Sequence, residues 1–197
     1  MPPTPSLRQR QGADPPASGA GDGGHAFGGL SFLISSPRHQ FLRFPVITLG
    51  AEHLAMGHLL RRNVLAYKAP PNNEGYDLIC IHPDPKKVTK QIRVQVKSRY
   101  QTDCDRAFPV KERTFKAFDY LVVVFLNLGY FYGRKHVLDG YQDPEFFVLP
   151  VKWIRRHHTP AKSGWDKVHT KGQRLERFKN EAGFELIAKE LGIRYPR

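Results

Sequence analysis

Three side chains with complementary chemistry, Asp77, Gln95 and Lys97, lie in two neighbouring strand-like stretches, residues 75–81 and 91–98. Because side chains alternate along a strand, Gln95 and Lys97 should share one face, about 7 Å apart. The opposite face would take the apolar side chains of the same strand: Ile92, Val94 and Val96. A carboxylate, an amide and an ammonium group on one side of a sheet are unusual for a covered face, so they mark a candidate site.

The chemistry of these groups predicts a site for a hard divalent cation. A carboxylate and an amide oxygen suit Mg²⁺ or Mn²⁺ better than zinc, and the backbone carbonyl of Val96 offers a further oxygen. A cation held by Asp77, Gln95 and Val96 would act as a Lewis acid on a phosphoryl group. Lys97 would add a compact positive charge beside it. These groups together could hydrolyse a phosphodiester.

Each residue also has an ordinary structural explanation. Asp77 could be a solvated aspartate at the end of a strand. Gln95 could simply bond its neighbours in the sheet, and Lys97 could be surface charge or a contact to phosphate. The residues alone leave these alternatives open.

The surrounding chain alternates helices and strands. A helix is predicted over residues 50–62, with an apolar stripe made by Leu49, Leu54, Ala55, Leu59 and Leu60. The other predicted elements are strands over 64–68, 119–126 and 145–149, short helices over 110–118 and 151–156, and a terminal helix over 173–191, with a polar loop over 100–109. This order indicates an α/β fold on a mixed sheet, with the most apolar strand inside it.

The helix, the turn and the two strands bearing Asp77 and Lys97 resemble the PD-(D/E)XK nuclease superfamily over residues 49–150. The resemblance implies a restriction-endonuclease-like fold, a three-layer α/β/α core with a central mixed β-sheet. It also implies that Glu52 is the helix carboxylate, Asp77 the metal-binding aspartate and Lys97 the motif lysine. Gln95 departs from the pattern, which usually has Asp or Glu there. Some branches, including certain homing endonucleases, also carry glutamine.

The resemblance implies a Mg²⁺- or Mn²⁺-dependent endonuclease that hydrolyses phosphodiester bonds in DNA. Its catalytic residues would be Asp77, Gln95, Lys97 and Glu52, and its metal ligands Asp77, Gln95, Val96 and Glu52. Glu52 could also be an ordinary glutamate of a first helical turn. Two other functions remain open. The protein could bind nucleic acid without cutting it, because Gln95 removes a negative charge from the site, or it could be a basic protein-interaction module.

The charge balance favours an anionic partner. The 197 residues carry a net charge of +13, and the segment from residue 151 onward has twelve Lys and Arg against five Asp and Glu. Such an excess favours nucleic acid, held through salt-sensitive phosphate contacts. The candidate DNA-binding residues are Arg99, Arg155, Arg156 and Lys162. The same charges could instead form a solvated surface.

The composition of the chain predicts a Pro- and Gly-rich disordered tail over residues 1–44 and a nuclease-like domain over 45–197 with a basic C-terminal segment. Two cysteines without metal-motif spacing fit a reduced, cytoplasmic setting. The longest apolar run, residues 121–126, is far too short for a membrane span, so no membrane partner is expected. A double-strand cut needs two sites, and the hypothesis therefore allows a homodimer.

Overall fold

The structure is a computed structural model, described here for residues 44–71, 73, 75–131, 136–160, 167–170 and 172–194. The predicted tail, apart from Phe44, and the candidate residue Lys162 lie outside this part. The helices are α1 (Phe44–Leu60), α2 (Val151–His157) and α3 (Asn180–Glu190). The strands are β1 (Leu65–Lys68), β2 (Leu78–Ile81), β3 (Ile92–Arg99), β4 (Ala107–Pro109), β5 (Tyr120–Phe125), β6 (Glu145–Pro150), β7 (His158–Thr159) and β8 (Lys167–His169).

The main sheet has five strands in the order β1-β2-β3-β5-β6. β3 and β5 run parallel, whereas the other neighbours are antiparallel, so the sheet is mixed. Every residue of β5 is buried, which agrees with an interior position between β3 and β6. β4, β8 and β7 form a second, three-stranded sheet that the sequence pattern did not predict.

Two apolar cores cover the two faces of the main sheet. On one face, Val94 and Val96 of β3 pack in the same core as Ala55 of α1 and Ile187 of α3. On the other face, Leu121 of β5 belongs to a core that also includes residues of α2 and of the second sheet. The fold class predicted from the sequence is therefore confirmed: α/β, with a central mixed sheet between two flanking layers.

The buried face of α1 differs from the predicted stripe. Ala51, Ala55 and Leu59, four residues apart, face the core, while Leu49 and Leu54 are 47% and 41% exposed. The helix also begins at Phe44 instead of residue 50. The reason is that apolar residues are spread around most of α1, so its hydrophobic pattern could not identify the buried face; the face with the small alanines packs on the sheet.

Two other predicted segments are wrong. The loop expected over residues 100–109 contains β4, whose Phe108 is buried, because Phe108 pairs with Val168 of β8 far along the chain. The terminal helix expected over 173–191 shrinks to α3, preceded by a 3-10 turn over Glu176–Phe178. Lys179 separates the turn from the helix; the first helical residue, Asn180, has a φ of 44°, and its side chain accepts a hydrogen bond from the amide of Phe146.

Within the part of the chain that the structure describes, no helix is long and apolar enough to cross a membrane.

Candidate functional site

Asp77 stands where β2 separates from β3. Its backbone N–H donates to the carbonyl of Val94 (2.8 Å), and its side-chain Oδ2 accepts the N–H of Val96 (2.6 Å). Its carbonyl accepts the N–H of Ala69, just beyond β1 (2.8 Å). Asp77 thus bonds to both residues that flank Gln95. The carboxylate replaces a backbone partner at the point where the regular pairing of β2 and β3 has ended.

The turn before Asp77 fixes its approach to the sheet. Gly75 has a φ of +100°, a conformation that L side chains rarely adopt, and a Cβ there would overlap the side chain of Ala117. Asn73 donates to the carbonyl of Tyr76 (2.9 Å) and closes the turn. The polar turn signal in the sequence therefore has a specific role, which is to bring Asp77 against β3.

Gln95 and Lys97 lie on one face of β3, as their spacing predicts. Their neighbours on β5 are Leu121 and Val123, both members of the core opposite α1. Gln95 is 9% exposed, and its Oε1 is buried without a hydrogen-bond partner among the described residues. Its Oε1 makes none of the sheet hydrogen bonds that the ordinary explanation for this residue would require.

Lys97 follows Gln95 and is partly exposed at the end of the same row. Among the described residues its ammonium group has neither an ion-pair nor a hydrogen-bond partner. The other cations of this face are engaged: Arg93 pairs with Asp119, and Arg99 donates to the carbonyl of Ala107. Lys97 is therefore the charge of this row that remains available for an anionic ligand.

The donors around Gln95 fit a hard divalent cation. The residues at even positions of β3 direct their N–H and C=O toward Asp77, as the bonds of Val94 and Val96 show. Because a strand residue directs both groups to the same edge, the Val96 carbonyl faces this side as well. A carboxylate oxygen, the unpartnered amide oxygen of Gln95 and this carbonyl are the ligand types that Mg²⁺ and Mn²⁺ prefer.

Glu52 has another partner in this structure. Its carboxylate forms an ion pair with Lys68 of β1. By strand alternation Lys68 shares the face of Ala66, which is the α1 side, whereas Gln95 lies on the opposite face. In the described part of the chain, no three His, Cys, Asp or Glu side chains gather in a way that could hold a metal.

The four candidate DNA-binding residues have different surroundings. Arg99 is largely occupied by the protein, since it donates to Ala107 (2.8 Å) and lies over the ring of Phe108. Arg155 and Arg156 are both exposed on α2; Arg155 also lies over the Phe115 ring, which orients it. Lys162 lies outside the described residues. Of the three described members, the pair on α2 is exposed.

One contributor was missed by the sequence reading. Asp119 accepts the N–H of Arg93 (2.8 Å) and pairs with its guanidinium, and so joins β3 to the start of β5. Asp119 thus holds β3 at Arg93, two residues before Gln95. The feature of the sequence that could have indicated it is an aspartate directly before the most apolar strand.

The thiols do not offer a nucleophile near this site. Burial raises the pKa of Cys80 to about 12, so its thiolate is scarce at neutral pH. Burial is also the main cause that raises the pKa of Cys104. The chemistry of the site therefore depends on oxygen donors and ammonium charge.

No protein-family model and no curated protein matches the sequence. Solved structures that resemble the chain include a bacterial homing endonuclease, which is 19% identical, with 77% of this chain and 96% of that chain covered and a TM-score of 0.44. Another is the Holliday junction resolvase of Archaeoglobus fulgidus, an archaeal hyperthermophile, at 10% identity, 76% and 99% coverage and a TM-score of 0.39. Both are likenesses of fold.

Proposed function

We propose that the protein is an endonuclease that depends on Mg²⁺ or Mn²⁺ and hydrolyses phosphodiester bonds in DNA. The observation that carries this proposal is the row on β3. The carboxylate of Asp77 is bonded to Val96, and among the described residues the buried Oε1 of Gln95 lacks a partner and Lys97 is unpaired. An unsatisfied buried amide oxygen costs about 1–3 kcal/mol, which a ligand at this place would recover.

Asp77, Gln95 and the carbonyl of Val96 would hold the cation. When bound, the cation supplies positive charge to the phosphate and lowers the pKa of a water molecule. Asp77 keeps its carboxylate in place through the N–H of Val96, so one oxygen remains for ligation. Lys97 donates from Nζ to a phosphate oxygen and stabilises the negative charge that develops there. Glu52 could bind the cation only if its ion pair with Lys68 breaks or if one of its oxygens serves both partners.

The DNA backbone would be held by basic residues around this row. Arg155 and Arg156 are exposed residues of α2, of which Arg155 also donates to the carbonyl of Phe115 (3.4 Å), and Lys162 is the third residue of the proposed set. Arg99 contributes mainly by binding the carbonyl of Ala107 at the start of β4. Binding should weaken steeply with salt, because phosphate contacts release counterions.

A second function, nucleic-acid binding without cleavage, is favoured by one feature of the site. Glu52 is paired with Lys68, and Gln95 supplies an uncharged ligand, so the negative charge available to a cation is low. Under this alternative, binding to DNA is salt-dependent while plasmid remains intact. A protein-interaction module would instead show no binding to nucleic acid at low salt.

The test is cleavage of supercoiled plasmid with Mg²⁺ or Mn²⁺ by wild type, Lys97→Ala and Asp77→Asn. Asparagine keeps an oxygen acceptor for the N–H of Val96 and removes the charge. We expect each variant to lose about a hundredfold or more in rate. Lys111→Ala, at an exposed lysine away from β3, is the matched control and should cut as wild type does. Plasmid left equally intact by wild type and variants would reject the nuclease proposal.

A further inference from the structure

The outward side of the hairpin formed by β1 and β2 is apolar. Strand alternation places Ala66, Leu78 and Cys80 in the core with α1. The outward positions are Leu65, Tyr67, Ile79 and Ile81, which together are called the outer hairpin face. An antiparallel sheet with one solvated face normally carries polar residues there. None of these four belongs to either described core; Leu65, Ile79 and Ile81 are partly exposed and Tyr67 is exposed, so the described residues leave this apolar face incompletely covered.

The outer hairpin face is continuous with the candidate site. Tyr67 pairs with Ile79, and Ile79 pairs with Arg93 of β3, so these three side chains form one row across the sheet. Gln95 lies one row further along the same face. From the spacings of strands and residues, Tyr67 is about 12 Å from Gln95. A stacked nucleic-acid strand rises about 3.4 Å per nucleotide, so three to four nucleotides would cover the distance.

The charge around this face favours an anionic occupant. On β3, Arg93, which pairs with Asp119, lies beside Ile79, and Lys97 lies two rows further along the same face. In the connection between β2 and β3, Lys86 and Lys87 are exposed, and Lys87 pairs with Asp84. With a net charge of +13, two copies of this chain repel each other over long distances, whereas nucleic acid is attracted. A second copy is therefore the less favoured occupant.

We propose that the outer hairpin face is a stacking platform for unpaired nucleotides, with Tyr67 as its aromatic anchor. Tyr67 is 44% exposed, so its ring is available to a base. The bases of a duplex are stacked on one another and do not present their faces, whereas those of a single or splayed strand do. This inference rests on the proposed function: it specifies that the preferred substrate has an unpaired segment beside the phosphate that is cut.

The test measures binding by the full-length chain, without divalent cation, to a fluorescent oligothymidylate and to a blunt DNA duplex. Tyr67→Ala should weaken binding of oligothymidylate by about tenfold and leave duplex binding unchanged. Tyr67→Phe retains the ring and should bind as wild type does. Tyr67→Ile retains an apolar, β-branched side chain suited to the strand, and should show the same loss as alanine even if alanine disturbs folding. Tyr141→Ala, at a tyrosine that is 61% exposed elsewhere, is the matched control.

Equal effects on both ligands, or an effect on neither, would overturn the platform. A shift from dimer to monomer in sedimentation by Tyr67→Ile, with unchanged binding, would assign the face to a second copy and also overturn it. Because binding is measured without cation, a loss of single-strand affinity in Tyr67→Ala supports the platform even if the protein never cuts plasmid. Conversely, plasmid cleavage together with unchanged single-strand binding rejects this inference alone.

Discussion

Gln95 combines two properties that rarely occur together, since its side chain is buried and its amide oxygen has no donor among the described residues. Most buried polar atoms in proteins are hydrogen-bonded, and an exception calls for a ligand or a water. The neighbouring Asp77 uses one carboxylate oxygen to fix the strand at Val96. In the proposed site, one oxygen of Asp77 fixes the backbone, and its other oxygen together with Gln95 would hold the cation; a substitution at Gln95 tests this second role.

Replacing Gln95 with glutamate should strengthen cation binding and weaken the cation-free protein. A charged oxygen attracts Mg²⁺ more strongly, but a buried charge without a partner destabilises the fold. We expect a lower melting temperature than wild type in chelator, by about 2–4 °C for each kcal/mol lost, and a larger increase on addition of Mg²⁺. Thermal denaturation with and without Mg²⁺ measures both effects.

The control for that experiment is Gln91→Glu, which adds the same charge at an exposed position just before β3. It should respond to Mg²⁺ as wild type does. If Gln95→Glu and Gln91→Glu gain equally from Mg²⁺, Gln95 does not face a cation site.

At the level of elements, a tight turn places the acidic residue on the sheet. Gly75 combines a left-handed backbone with close approach to Ala117, which follows the 3-10 segment Glu112–Lys116. The turn is therefore held between β3 and that segment. Its fit determines whether Asp77 reaches the N–H of Val96.

Gly75→Ala should destabilise the protein and displace Asp77. The left-handed conformation alone costs a non-glycine residue about 1–2 kcal/mol, and overlap with Ala117 adds to that cost. Gly172→Ala is the matched control, because Gly172 has a φ of +77° and none of the described atoms lies within 4 Å of the place that a Cβ would take. Urea unfolding should show a larger loss of free energy for Gly75→Ala. Equal losses would mean that the contact with Ala117 has no effect.

At the level of the whole molecule, one histidine joins three elements on the α1 side. The ring of His58, on α1, lies 4.4 Å from that of Phe146 on β6 and stacks at 5.0 Å on Phe184 of α3. Arg62, after α1, forms an ion pair with Glu181 of α3 and lies over the Phe184 ring. Burial, with smaller contributions from Arg62 and Arg61, lowers the pKa of His58 below its usual 6.5.

Stability should therefore fall in mildly acidic solution. The unfolded chain protonates His58 near pH 6.5, while the folded chain resists the proton until the lowered pKa is reached, so the unfolded state binds more protons in that window. His58→Phe keeps an aromatic ring in the stack and should reduce the loss of unfolding free energy as pH decreases through this window. Chemical denaturation between neutral and mildly acidic pH measures the slope. His53→Gln, on the exposed side of α1, is the control and should show the wild-type change of unfolding free energy with pH. If His58→Phe shows that same change, His58 is not the cause of the pH dependence.

The local sequence pattern was sufficient for most of the sheet and for one row of the site. Alternation in β3 predicted that Gln95 and Lys97 share a face, and the apolar run of β5 predicted an interior strand, because both signals depend only on neighbouring residues. The pairing of β4 with β8 was missed because Phe108 and Val168 are distant in sequence. Boundaries were less predictable where an element depends on such distant contacts.

The sequence by itself determined the types and spacing of the candidate site residues on β3, the basic character of the chain and the order of the main elements. Only the tertiary structure decided which face of the largely apolar α1 is buried, that Asp77 bonds to Val96, and that Glu52 pairs with Lys68. The physical reason is range. Alternation and apolar runs act between neighbours along the chain, whereas a carboxylate selects its partner among all groups that folding brings within a few ångströms.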